Sequence, residues 1–147
     1  MKNLFALILG CVISVLVATL FMPTAKYSEE DIPVMKEITV KAFQLGAYQA
    51  MDAAQAMAEK HHGIVVSSNG YYTVYASILS NEANVAKMMA YLEKDNIYYY
   101  VKSISTSEEF NTELQKYEEM MMSTTSDIAF QELNKRILDL YEATYED

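Results

Sequence analysis

Apolar and polar positions divide this chain into three zones. From Leu4 to Met22 the residues LFALILGCVISVLVATLFM run 19 long without a charge and stop at Pro23. At about 1.5 Å per residue such a helix nearly crosses a hydrocarbon core of about 30 Å, so residues 1–23 are expected to form a transmembrane anchor. Residues 24–37, polar and carrying Pro33, show neither helical nor strand periodicity and are expected to be a linker. Beyond them the pattern becomes that of a folded domain.

Residues 41–48 (KAFQLGAY) alternate Phe43 and Leu45 against Gln44 and Gly46, a period of two that predicts a strand. Ala50, Ala53, Ala54, Met57 and Ala58 then fall along one helical stripe over 50–60, followed by Gly63 as a stop signal. In 63–78 β-branched and aromatic residues flank Asn69-Gly70, a strong hairpin signal that predicts two further strands. Ser80 or Asn81 can cap a second helix, in which Val85, Met88, Met89 and Leu92 recur at helical spacing. Residues 97–104 alternate Ile97, Tyr99 and Val101 against Tyr98, Tyr100 and Lys102, predicting a last strand.

The order βαββαβ predicts an α+β, ferredoxin-like domain over residues 38–104, a four-stranded antiparallel sheet with two helices on one face and the other face free. Residues 105–147 add two amphipathic segments. Ser107 can cap one, carrying Phe110, Leu114, Tyr117 and Met121, and Ser126 the other, carrying Phe130, Leu133, Ile137, Leu140 and Tyr141. They are expected to be an appended helical hairpin whose apolar stripes pack on each other and the domain, or join two chains.

Charge orients the anchor. Lys2 and the amino terminus precede it and Glu29-Glu30-Asp31 follow, which puts the N-terminus in the cytoplasm and the body outside the cell membrane. Two alternatives share this segment: a cleaved signal peptide, whose best site carries Pro23, and a lipoprotein box at Ile8-Leu9-Gly10-Cys11, which would leave a long apolar run beyond the cysteine. Cys11 is the only cysteine, so no disulfide forms within one chain. The net charge of −9 argues against nucleic acid and against simple attraction to anionic polymers.

Candidate chemistry is sparse. His61-His62 end the first helix and point in different directions without a third ligand, so they suit a helix C-terminus better than a metal. Met120-Met121-Met122 fit a helix interface. No nucleophile-base pair, phosphate loop or catalytic acid pair is present, and the expectation is a protein that is not an enzyme and has no cofactor. By alternation Gln44, Thr73, Tyr75, Tyr98 and Tyr100 share the free face of the sheet. A two-residue turn at Asn69-Gly70 would set Ile64 opposite Tyr75 and Val66 opposite Thr73, adding both to that face. Such a tyrosine platform suits sugar rings, and it equally suits strands that favour tyrosine as a half-buried filler.

Phe43-Gln44-Leu45-Gly46-Ala47-Tyr48 resembles the aromatic/aliphatic-Gln-x-Gly-x-aromatic opening of SPOR domains, peptidoglycan-binding modules of bacterial division and sporulation proteins. The alanine-rich helix that follows is similar to theirs. Asn69-Gly70-Tyr71-Tyr72-Thr73-Val74-Tyr75 resembles their Asn-Gly-Tyr-Tyr-Arg-Val hairpin, with Thr73 where arginine is common. Ser77-Ile78-Leu79 replaces their Gly-Pro-Phe segment, and Asn81-Glu82-Ala83 falls where their second helix starts. The resemblance implies a membrane-anchored, extracytoplasmic protein that binds peptidoglycan glycan strands through Gln44, Tyr71, Thr73, Tyr75, Tyr98 and Tyr100. The alternative is a membrane-anchored assembly module that keeps the ferredoxin-like fold and binds a protein, or itself, through the sheet or the C-terminal helices.

Overall fold

A computed structural model describes residues 38–145. The expected anchor at 4–22 and the expected linker at 24–37 fall outside them. No described helix is long and apolar enough to cross a membrane.

The strands are β1 (Ile38–Tyr48), β2 (Ile64–Ser68), β3 (Tyr71–Leu79) and β4 (Tyr100–Thr106), and the helices are α1 (Met51–His61), α2 (Glu82–Lys94), α3 (Glu108–Ser123) and α4 (Asp127–Tyr145). The described chain is thus α+β. Its strands make one antiparallel sheet in the order β2-β3-β1-β4, and the first six elements run βαββαβ, compatible with the expected split-βαβ arrangement.

Local chemistry explains the boundaries. Asn69 and Gly70 both take positive φ, 52° and 78°, which a two-residue hairpin turn requires. The resulting register pairs Ile64 with Tyr75 and Val66 with Thr73, as the spacing predicts. His62 closes α1 in the left-handed region and its N–H donates to the Ala58 carbonyl. Gly63 must be glycine because an added Cβ would lie 2.6 Å from the Tyr75 carbonyl oxygen.

Asn81 caps α2 with a side-chain oxygen that accepts from the N–H groups of Ala83 and Asn84. Asn81→Ala should therefore cost about 1 kcal/mol and lower the melting temperature by several degrees. An unchanged thermal melt would mean that this cap contributes nothing.

Two irregularities in β1–β3 decide which way side chains point. The pairs Phe43↔Ser77 and Gln44↔Tyr75 leave Ala76 as an extra residue, and Gln44↔Tyr75 followed by Gly46↔Val74 leaves Leu45 as another. One face then carries Phe43 and Val74, with Ala54 and Ala58 of α1 packed on Val74. Lys41, two residues from Phe43 on the same face, pairs with Glu82 at the start of α2 at 2.6 Å. Helix α1 therefore lies on this side, while Val85, Met88 and Leu92 of α2 are buried in the same core as Phe110, Leu114 and Met121 of α3.

The opposite face, expected to be free, is partly covered. Tyr75 packs edge-on against Tyr141 of α4 at 6.5 Å between ring centroids, and Tyr141 packs edge-on against Phe110 of α3 at 5.3 Å. Asn134 of α4 is buried beside the bulge, where its Nδ2 donates to the Ala76 carbonyl at 2.9 Å and its Oδ1 accepts from Ser77 Oγ at 2.6 Å. One amide thus satisfies groups at the place where the ladder is interrupted. On α3 the buried Glu118 accepts from the backbone N–H groups of Ser80 and Asn81 at 2.9 and 2.8 Å, and from the Ser80 hydroxyl.

The C-terminal helices are thus no appendage. Phe110, Leu114, Met121, Phe130, Ile137, Leu138 and Tyr141 join Phe43, Ile78, Met88 and Leu92 in one continuous core. Tertiary burial overrides the free-face expectation because two amphipathic stripes must be covered, and the nearest apolar surface is the sheet. Of the three adjacent methionines, Met121 is buried while Met120 and Met122 are exposed.

Candidate functional site

What remains of the second face is a groove of about 480 Å³ between the sheet and the end of α4. Gln44 and Ala47 of β1, Val66 and Ser68 of β2, Thr73 and Tyr75 of β3, and Lys102 and Ile104 of β4 form its floor. The hairpin residues Asn69 and Tyr71 also line it, and Tyr141 and Tyr145 of α4 form a wall.

Sheet geometry places these side chains. Gln44 pairs with Tyr75 on one side and with Tyr100 on the other, while Ala47 pairs with Thr73 and Thr73 with Val66, so they share a face. The wall is built by stacking. The Tyr141 and Tyr145 rings lie 5.7 Å apart at 26°, and the Tyr145 hydroxyl lies 3.5 Å from the Ser67 carbonyl on the outer edge of β2.

Four of the six residues expected to hold a ligand, Gln44, Tyr71, Thr73 and Tyr75, line this groove together. Tyr75 contributes only an edge, being 5% exposed. Two others depart from expectation. Tyr100 shares the groove's face but is 67% exposed beyond its lining, and Tyr98 is 94% exposed and precedes β4, which begins at Tyr100 rather than Ile97. The chain leaves α2 through Asn96 at positive φ, and Tyr99 is held there, its hydroxyl donating to Glu93 at 3.0 Å and its ring 5.6 Å from Phe43. Those contacts delay the start of the ladder. Tyr141 and Tyr145, by contrast, were not expected in a site, and only their spacing of four along an amphipathic helix signalled that they act together.

Comparisons with known protein families, characterised proteins and solved structures find no match to this chain.

Burial governs the protonation of the groove's inner wall. It pushes the Tyr141 phenol up to about 12, with the phenols of Tyr75 and Tyr145 adding to the shift. Burial likewise raises Tyr75, reinforced by Tyr145. Because the folded state holds these phenols neutral beyond the ordinary value of about 10, their contribution to stability is complete below pH 10 and is lost as pH rises towards about 12. In a phenolate absorbance titration a fraction of the chain's 12 tyrosines should ionise late, together with unfolding. A single transition centred near pH 10 with the fold intact would contradict this burial.

His61 is held below the ordinary histidine value by burial, then by Lys60 and His62. Among the described residues no group of three His, Cys, Asp or Glu side chains is placed to hold a metal ion.

Proposed function

We propose that this protein binds glycan strands of the peptidoglycan type in the sheet groove, tethered on the outer side of a membrane by residues 4–22. The observation that carries the proposal is the groove's composition: tyrosine surface from Tyr71, Tyr75, Tyr141 and Tyr145 around the amides of Gln44 and Asn69 and the hydroxyls of Ser68, Thr73 and Ser103. Pyranose rings offer apolar faces to aromatic surface and a rim of hydroxyls to amides, and recognition needs little charge. The groove's volume of 480 Å³ falls among ligand sites of about 300–1,000 Å³.

The element order and the strand order β2-β3-β1-β4 are compatible with a ferredoxin-like domain of the SPOR type, and the Gln44 and Asn69-Gly70 segments that carry that resemblance both reach the groove. Binding rather than catalysis is the better reading. No carboxylate or histidine lines the groove to act as a general acid or base on a glycosidic bond.

Retention of the full-length chain on purified sacculi, before and after an amidase removes the peptide stems, tests the proposal. The stripped sacculi should retain it. Failure of both preparations to do so would favour a protein-assembly module, a reading supported by one feature: Ile128, 83% exposed, and the exposed Met120 and Met122 near the turn between α3 and α4.

A further inference from the structure

The groove's lining holds a single charged side chain, Lys102, and no carboxylate. In a chain of net charge −9, with 20 acidic residues to 11 basic ones, a carboxylate-free surface around one cation is a local reversal of sign. Lys102 pairs across the sheet with Ala42, two positions from the Gln44–Tyr100 pair, and so lies on the groove's side of β4.

Of the other described lysines and arginines, Lys60 and Lys135 lie outside the groove's lining and the rest are engaged elsewhere. Lys41, Lys94, Lys116 and Arg136 sit in ion pairs, and Lys87 donates to the carbonyls of Met121 and Thr124. Among the described residues Lys102 forms no ion pair. A lysine on an edge strand also discourages pairing between sheets, a role that requires nothing of a ligand. The absence of acidic side chains around it does not follow from that role.

We propose that Lys102 recognises a carboxylate on the bound sugar, so that the ligand is an acidic oligosaccharide rather than a neutral one. This rests on the glycan reading of the groove. The ammonium group would donate charge-assisted hydrogen bonds to the carboxylate while the tyrosines hold the ring that bears it. An exposed lysine is screened by water, so the expected advantage of an acidic ligand is about three- to tenfold.

The test titrates the full-length chain in detergent micelles with two matched probes. One is a neutral oligomer of N-acetylglucosamine, and the other has the same length with a lactyl ether carboxylate on alternate sugars. The acidic probe should bind about three- to tenfold more tightly at low salt, and the difference should shrink as salt rises. Lys102→Gln should bring the two affinities together, and Lys102→Arg should keep them apart. Equal binding of both probes by the unsubstituted chain would overturn the role of Lys102 and leave the glycan reading standing. A difference that persists in Lys102→Gln would overturn it too. Binding of neither probe would remove the glycan reading and this inference with it.

Discussion

A chain ending after Thr106 will not fold. Such a chain keeps every element of the βαββαβ unit but loses Phe110, Leu114, Met121, Phe130, Ile137 and Leu138, all buried in the shared core. At about 1.5–3 kcal/mol for each such side chain, their burial represents about 9–18 kcal/mol, as much as the whole stability of an ordinary domain at about 5–15 kcal/mol. The cut also orphans polar groups, because Asn134 would leave the Ala76 carbonyl and Glu118 the N–H groups of Ser80 and Asn81. Circular dichroism of fragments 27–106 and 27–147 checks this. The longer one should melt cooperatively, and a cooperative melt of the shorter one at a similar temperature would show that α3 and α4 are dispensable.

In the groove, Gln44→Ala combined with Tyr71→Ala should weaken glycan binding by about ten- to a hundredfold while leaving the fold intact. Tyr71 is half exposed at the groove's mouth, and Gln44 presents its amide from the floor. A lost aromatic contact of about 0.5–1.5 kcal/mol and a lost hydrogen bond of similar size together give that range. Tyr98→Ala is the matched control. That residue projects into solvent away from the groove and should change nothing. Tyr75→Ala is unsuitable as a binding test, since its ring supports Tyr141 and its removal would disturb the core. Affinity held within twofold in the double variant would exclude the groove as the site.

The strand order in sequence and the register of the hairpin were readable because their signals are local. Asn69-Gly70 set the hairpin, and from it the pairing of Ile64 with Tyr75 and Val66 with Thr73 followed by counting. The α2 cap at Asn81 and the start of α3 at Ser107 were equally local, each needing one polar side chain before an apolar stripe. The fate of the second face was not local. Nothing near Tyr75 in sequence indicates that Tyr141, 66 positions later, will cover it.

Two residues did carry that information. Asn134 falls on the stripe of Phe130, Ile137, Leu138 and Tyr141, and Glu118 on that of Phe110, Leu114 and Met121. A polar side chain inside an apolar stripe implies a buried partner elsewhere, here the Ala76 bulge and the start of α2. The bulge itself had no sequence signal, because it arises from pairing between β1 and β3 rather than from either strand alone.

In the function proposed above, a sugar occupies the groove between the sheet and α4. Amide chemical-shift mapping of fragment 27–147, titrated with a soluble glycan tetrasaccharide, measures this most directly. Saturable shifts are expected, concentrated at Gln44, Ala47, Ser68, Asn69, Tyr71, Thr73, Lys102 and Tyr145, with α1 and the outer faces of α2 and α3 unmoved. Shifts centred on Met120, Met122 and Ile128, or no saturable shifts at millimolar ligand, would contradict it.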